Sequence, residues 1–408
     1  MATITRISTR DARFDLKPGE GADSVHTNPQ YAYAVAEIHT DQGLTGIGLA
    51  FTLGDGTNLV CMAIQDLSSI LVGRETDELM QDFGKTLRSI ADHSRYRWLG
   101  PHKGVVHLAL AAIGNACFDV WAKLRGVPLW QFLLDLSPEQ IVGLLDLSYL
   151  EDVLTTADAL EIMRANQIGR KDREAILNKG YPGYDTSVGW FNYPDDLVRQ
   201  NVKQSMDAGF NAMKLKIGSD DSSRDIRRAS MVRQIAGDQA LIMLDCNQKW
   251  TLPQAIRNCL ELQPIRPFWI EEPTHPDDIA AHQTLARSIA PMKIAAGEHL
   301  PNRIIFKNYL QAQAMHFCQA DCVRLGSVSE FIAVSLMARK FGVVVVPHVG
   351  DMGQIHQHLV LFNHIVLGHE ALFLEYIPHL TEYFVHPAVV KDGVYKIPQE
   401  PGSSSDLK

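Results

Sequence analysis

Three carboxylates fall at one interval. Asp245, Glu271 and Glu298 are 26 and 27 residues apart, and each closes a short apolar run, 241–246, 268–272 and 293–297. Carboxylates brought together repel one another. A hard divalent cation relieves that repulsion, and an all-oxygen set with open positions suits Mg²⁺, with Mn²⁺ also fitting. Asn247 lies two residues beyond Asp245, on the same strand face, placed to orient a ligand or substrate oxygen. Neighbouring runs add bases. Lys214 and Lys216 share one face of the run 212–217. His348 closes the run 343–347, and Asp321, 27 residues earlier, is placed to hold its imidazole in one tautomer and raise its basicity. A second ammonium and the cation are expected to depress the pKa of Lys216, leaving some free amine near pH 7. Glu375, in the run 372–376, is placed to donate a hydrogen bond, if protonated, to an oxyanion opposite the lysines. The set suits removal of a proton from the carbon next to a carboxylate, with a cation offsetting the charge that develops.

Singly, each residue has a plainer explanation. An Asp after a strand caps a helix, a strand-end Lys is a solvated rim charge, and a His in an apolar setting is a satisfied core group. The joint pattern is what points to chemistry, and it needs a scaffold that aligns strand ends. From about residue 180, eight apolar runs (184–188, 212–217, 241–246, 268–272, 293–297, 317–322, 343–347 and 372–376) alternate with helical patterns such as 194–208, 222–235 and 328–341. Eight βα repeats are the arithmetic of a closed parallel barrel, whose active site sits at the C-terminal strand ends. The fold class is therefore α/β, a (β/α)8-type barrel with an N-terminal α+β capping domain. Strands are expected at 4–13, 31–40 and 44–51, with a long polar loop at 18–30, followed by helices at 59–72, 79–90 and 105–124. The organisation reads as a cap over 1–135, a barrel over 136–380 that begins with inserted helix at 155–180, and a tail, 381–408, packing back on the cap.

Composition agrees with a soluble enzyme. The 408 residues carry 38 Lys+Arg against 47 Asp+Glu, a net charge of −9, which argues against nucleic acid or an anionic membrane as the main partner. No run approaches the roughly 20 apolar residues of a membrane span, and no signal peptide is visible at the N-terminus. The six cysteines form no CxxC, so reduced thiols and a cytoplasmic location are expected. Cys246 alternates away from Asp245 and reads as core. No GxGxxG, P-loop or GxSxG is present.

Lys214-x-Lys216, Asp245-x-Asn247, Glu271-Glu272-Pro273, Gly297-Glu298, Asp321 with His348, and Leu374-Glu375 together resemble the enolase superfamily, mandelate racemase subgroup. A Lys or His base with Mg²⁺ is that superfamily's general pattern. Within it the chain looks most like L-fuconate and L-galactonate dehydratases, through the stretches 98–105, 184–190 and 270–278 and His386-Pro387. The resemblance implies an acid-sugar dehydratase that removes the C2 proton and the C3 hydroxyl of an aldonate to give a 2-keto-3-deoxy acid. It implies Asp245, Glu271 and Glu298 as Mg²⁺ ligands, Lys216 as the base at C2, and His348 with Asp321 as the acid. Substrate stereochemistry can exchange the last two roles. It also implies a homo-oligomer. Departures fall in loops expected to meet the distal substrate. Asp55 stands where the fuconate type has Arg, the 18–30 loop differs around Asp23, and the loop after His348, with Asp351 and His356, is shorter by two residues. Asp23, Asp55, His299, Asp351 and His356, with Asn247, are the expected substrate contacts. The alternatives are a racemase or epimerase using both bases, a Schiff-base aldolase using a barrel lysine, and a non-catalytic homologue.

Overall fold

In a computed structural model the protein is described over residues 2–408. The chain opens with an antiparallel meander, β1 (Ile4–Phe14), β2 (Tyr31–Thr40) and β3 (Thr45–Thr52). Four helices follow: α1 (Thr57–Ser68), α2 (Thr76–Gln81), α3 (Phe83–Ala91) and α4 (Gly104–Leu124). The sequence reads 79–90 as one helix, but the structure breaks it at Asp82, whose φ of −134° is not helical. Helix α4 packs against β3 so closely that a Cβ on Gly48 would lie 1.9 Å from the Ala112 carbonyl oxygen. α4 also corrects one expectation. It is 21 residues long and apolar enough to cross a membrane by length and composition, yet 89% of its apolar window is buried inside the protein.

Eight parallel strands then appear among the described residues: β4 (Tyr181–Gly189), β5 (Ala212–Lys216), β6 (Leu241–Asp245), β7 (Trp269–Glu271), β8 (Ile294–Ala296), β9 (Phe317–Cys318), β10 (Val344–Val345) and β11 (Leu374–Tyr376). They run side by side from β10 back to β4, and β11 pairs with β4 on the far side. No ladder pairing joins β10 to β11 among the described residues, so the barrel has a seam. Its interior is filled by one side chain from each strand segment: Tyr184, Ala212, Met243, Trp269, Ala295, Phe317, Val346 and Phe373. This layer is a packed floor, as in other barrels, and it leaves only the C-terminal rim for chemistry.

The tail does two things. β12 (Val390–Lys391) and β13 (Val394–Tyr395) form a hairpin whose second strand pairs antiparallel with β4. Beyond it the chain reaches the cap, where Ser403 donates from its backbone N–H to Asp119 at 2.6 Å and Asp406 meets Lys123 Nζ at 2.8 Å. All six cysteines are free and buried.

Candidate active site

Register builds the site. Lys216 pairs with Asp245, and Asp245 with Glu271, so three adjacent strands end in one row. The three carboxylates of Asp245, Glu271 and Glu298 are buried, each offering an oxygen within 4.8 Å of the others. Three buried like charges at that spacing are costly unless a counter-ion is shared. Part of the charge is already balanced. Lys214 Nζ lies 2.6 Å from Glu271, 2.7 Å from Glu375 and 3.4 Å from Asp245, over the face of Tyr184. Lys216 Nζ lies 2.5 Å from Asp245 Oδ2 and donates to Asn247 Oδ1 at 3.1 Å. Glu298 Oε2 is buried without a hydrogen-bond partner, and His348 Nε2 stands 3.1 Å from it. An unbonded buried carboxylate oxygen in an all-oxygen donor set fits a hard divalent cation.

The expected depression of the Lys216 pKa is not found in this arrangement. Burial pushes it down most strongly, but Asp245, Glu298 and Asp23 together outweigh burial and Lys214, and the net shift is upward. Glu271 is raised as well: burial, with Asp245 beside it, lifts its carboxyl to about 8. Glu375 also departs from expectation. Burial raises it, but Lys214, His348 and the hydrogen bonds from Lys214 and Thr186 bring the net shift below the usual value. Held ionised, it accepts rather than donates: Thr186 Oγ1 at 2.6 Å, and the Val349 backbone N–H at 3.1 Å across the seam.

Opposite the lysines, His348 Nδ1 donates to Asp321 Oδ2 at 2.8 Å. Burial lowers the imidazole's pKa, yet Glu298 and the Asp321 hydrogen bond carry it up to about 9. Asp321 has a second histidine on its other oxygen, His356 Nε2 at 2.9 Å. His356 sits on the helix Ile355–Ile365, buried beneath the site and outside the cavity wall. The expected substrate contact at His356 is thus corrected to a support for Asp321. Asp351 is likewise absent from the wall, because its Oδ1 turns back to accept from the Gly353 N–H at 2.5 Å.

Eight of the remaining expected residues open on one cavity of about 360 Å³ at the rim. Lys216, Asn247, Glu298, His299, His348 and Glu375 line it from the barrel, and Asp23 and Asp55 from the cap. Lys214, Asp245, Glu271 and Asp321 lie behind that wall. The reading of the sequence missed other wall residues, His26, Tyr31, Trp190 and Arg324, and it missed Glu272. Both Glu272 oxygens lie 3.0 Å from His299 Nδ1, which also stands 3.2 Å from Glu298 Oε1. Burial lowers the His299 pKa, but Glu272 and Glu298 together raise it to about 10. Asn247, Gln248 and Glu272 all have left-handed backbone, φ 44°, 64° and 41°. Such strain costs about 1–3 kcal/mol per residue and persists where a site requires the geometry.

Residues 6–133 match the mandelate racemase / muconate lactonizing enzyme N-terminal domain, and residues 197–408 match the enolase C-terminal domain-like family. The chain belongs to this branch of the enolase superfamily. It is 42% identical over 415 residues to mitochondrial enolase superfamily member 1 of Homo sapiens, covering 99% of this chain and 94% of that protein. The crystal structure of that human protein superposes with a TM-score of 0.96 at 41% identity, over 100% of this chain and 94% of the other. L-galactonate dehydratase of Hypocrea jecorina is 39% identical over 415 residues, covering 100% of this chain and 92% of that enzyme. L-talarate/galactarate dehydratase from Salmonella typhimurium LT2, solved liganded with Mg and L-lyxarohydroxamate, shares the fold at 24% identity and a TM-score of 0.78, over 100% and 91% of the two chains. Acid-sugar dehydratases, enzymes of the hydro-lyase class, are among its relatives.

Proposed function

We propose that this enzyme dehydrates an aldonic acid sugar to a 2-keto-3-deoxy acid. The observation that carries the reading is the pairing of three clustered carboxylates with two different proton carriers, Lys216 and His348, on one cavity wall. Asp245, Glu271 and Glu298 would hold Mg²⁺, with Mn²⁺ an alternative. Bound there, the cation supplies Lewis-acid stabilisation of charge on the substrate carboxylate. Lys216, as the free amine, takes the C2 proton. His348, oriented by Asp321, gives a proton to the C3 hydroxyl as the C–O bond breaks, so one water leaves. The resulting enol ketonises with a proton returned to C3. Asn247 and His299 orient substrate oxygens. Asp55, at the rim, disfavours a second carboxylate at the distal end, which favours a monoacid such as an L-galactonate- or L-fuconate-like aldonate over a diacid.

The test is a screen of aldonates and aldarates with Mg²⁺, read by chemical detection of 2-keto-3-deoxy acid. Product from a monoacid is expected. Exchange of the C2 proton in D₂O without loss of water, from every acid tried, would overturn dehydration in favour of racemisation.

A further inference from the structure

The barrel is least supported where His348 stands. β10 pairs with β9 only over Val344 and Val345, and no ladder joins it to β11 among the described residues. His348 lies three residues past Val345, beyond the reach of that pairing. Its Nδ1 is held instead by Asp321, which follows β9, at 2.8 Å. Asp321 is in turn held at Oδ1 by the Val323 N–H at 2.8 Å and by His356 Nε2 at 2.9 Å. Asp321 and His356 are both buried, and His356 is set by its helix, whose Ile355, Leu359 and Phe362 belong to the main core. Two histidines thus clamp one carboxylate, His348 facing the cavity and His356 behind it.

The direction of the clamp follows from its tautomer. Burial raises the Asp321 carboxyl, but His356 and His348 bring it below the ordinary value, so it is ionised and only accepts. The Cys322 N–H, 3.2 Å from the same His356 nitrogen, competes for a lone pair there. A charge-assisted hydrogen bond is roughly twice as strong as a neutral one, so the proton sits on Nε2 and points at Asp321. We propose that His356 is a positioning residue for the acid step: by fixing the Asp321 carboxylate it aims the His348 Nε2–H at the departing C3 hydroxyl. That proton passes to the hydroxyl oxygen as the C3–O bond breaks with its electron pair, water leaves, and His348 is left neutral. Lys216 has Asp245 and Asn247 as its polar partners, so the clamp does not reach the C2 step. The assignment rests on the dehydratase reading.

The experiment runs the aldonate turned over best in D₂O with wild type, His356→Phe and His356→Gln. Two rates are read in each sample: formation of 2-keto-3-deoxy acid, and entry of deuterium at C2 of recovered substrate. The Lys216 amine carries solvent deuterons, so a substrate that has lost its C2 proton but kept its C3 hydroxyl returns labelled. His356→Phe, which keeps a ring but no donor, should slow dehydration about tenfold, the scale of one lost charge-assisted hydrogen bond, and raise the ratio of labelling to product by a similar factor. His356→Gln, which can still donate, should reverse part of both changes. The ratio is internal to each sample, so a partly unfolded variant does not move it. In wild type, ¹⁵N chemical shifts should place a proton on His356 Nε2. A ratio unchanged in His356→Phe, equal effects in the two variants, or a bare His356 Nε2 would overturn the assignment. If wild type forms no keto acid from any aldonate, the functional reading itself fails, and the wild-type rate alone separates that failure from the others.

Discussion

Two lysines side by side have different work. Lys214 is fully enclosed and shared by Glu271 and Glu375, so its proton is held by two carboxylates, and its pKa is raised well above the ordinary value against the pull of burial. Lys216 lies on the cavity wall, over the Trp190 ring, with Asp245 and Asn247 as its polar partners. A base must reach substrate, and only Lys216 of the pair does. Lys216→Met should lower kcat by about 10²–10⁴, the usual contribution of a positioned general base. Melting temperature in Mg²⁺ should change little, because the methylene stem is retained. An unchanged kcat would remove Lys216 from the chemistry. The pairing of His348 with Asp321 follows the same logic, but Asp321 is itself steadied by His356, 35 residues further along the chain. That contact was illegible in the sequence. His356 follows a loop whose length departs from the family pattern, and only the fold brings its ring under Asp321.

At the scale of elements, the eight barrel strands were legible because each joins an apolar run to a polar end, and the barrel exposes just that end. The strand bounds ran long, since β9 and β10 have only two paired residues each. Glu272 was not legible as a site residue. Strand alternation turns it away from Glu271, and it is the left-handed backbone at φ 41° that lets it meet His299. The helix Ile355–Ile365 carries a further consequence. His358 accepts from the Trp130 N–H through Nδ1 at 3.1 Å, and burial pushes its pKa down to about 3. His369, just beyond that helix, is pushed down to about 4 by burial. Both titrate near 6.5 when unfolded, so the unfolded chain binds more protons below that pH. The contribution of these two histidines is therefore undiminished above about pH 6.5 and is lost as pH falls toward the folded values. The slope is about 1.4 kcal/mol per pH unit for each histidine. Glu330, whose pKa is depressed by His107 and Arg303 against burial, adds to the loss below about 4.5. Urea unfolding between pH 7 and 5 should show the midpoint falling, and His358→Asn should flatten the slope. A slope identical in that variant would assign the acid sensitivity elsewhere.

Over the whole molecule, cap and barrel act as one body. Helix α4 of the cap sends His107 to Glu330 of the barrel at 2.6 Å, and Glu330 also holds Arg303 at 3.1 Å and the Gly326 N–H at 2.7 Å. The buried join lets the cap loop and the barrel rim share a single cavity. It also means that a ligand at the rim stabilises the entire fold, since unfolding either part destroys the site. A cation held by Asp245, Glu271 and Glu298 binds the native state, while the unfolded chain scatters those residues across the sequence. Linkage then gives about 2.7 kcal/mol of added stability at a cation concentration one hundredfold above its dissociation constant. Thermal unfolding should therefore shift upward by several degrees with Mg²⁺ and return with chelator. Glu298→Gln, which removes one of the three charges, should weaken binding in calorimetry and shrink the shift. The same variant without metal should melt lower than wild type, because the lost charge is the one that His348 and His299 face at 3.1 and 3.2 Å. Equal Mg²⁺-induced shifts in both proteins would show that the cation acts somewhere other than this carboxylate cluster.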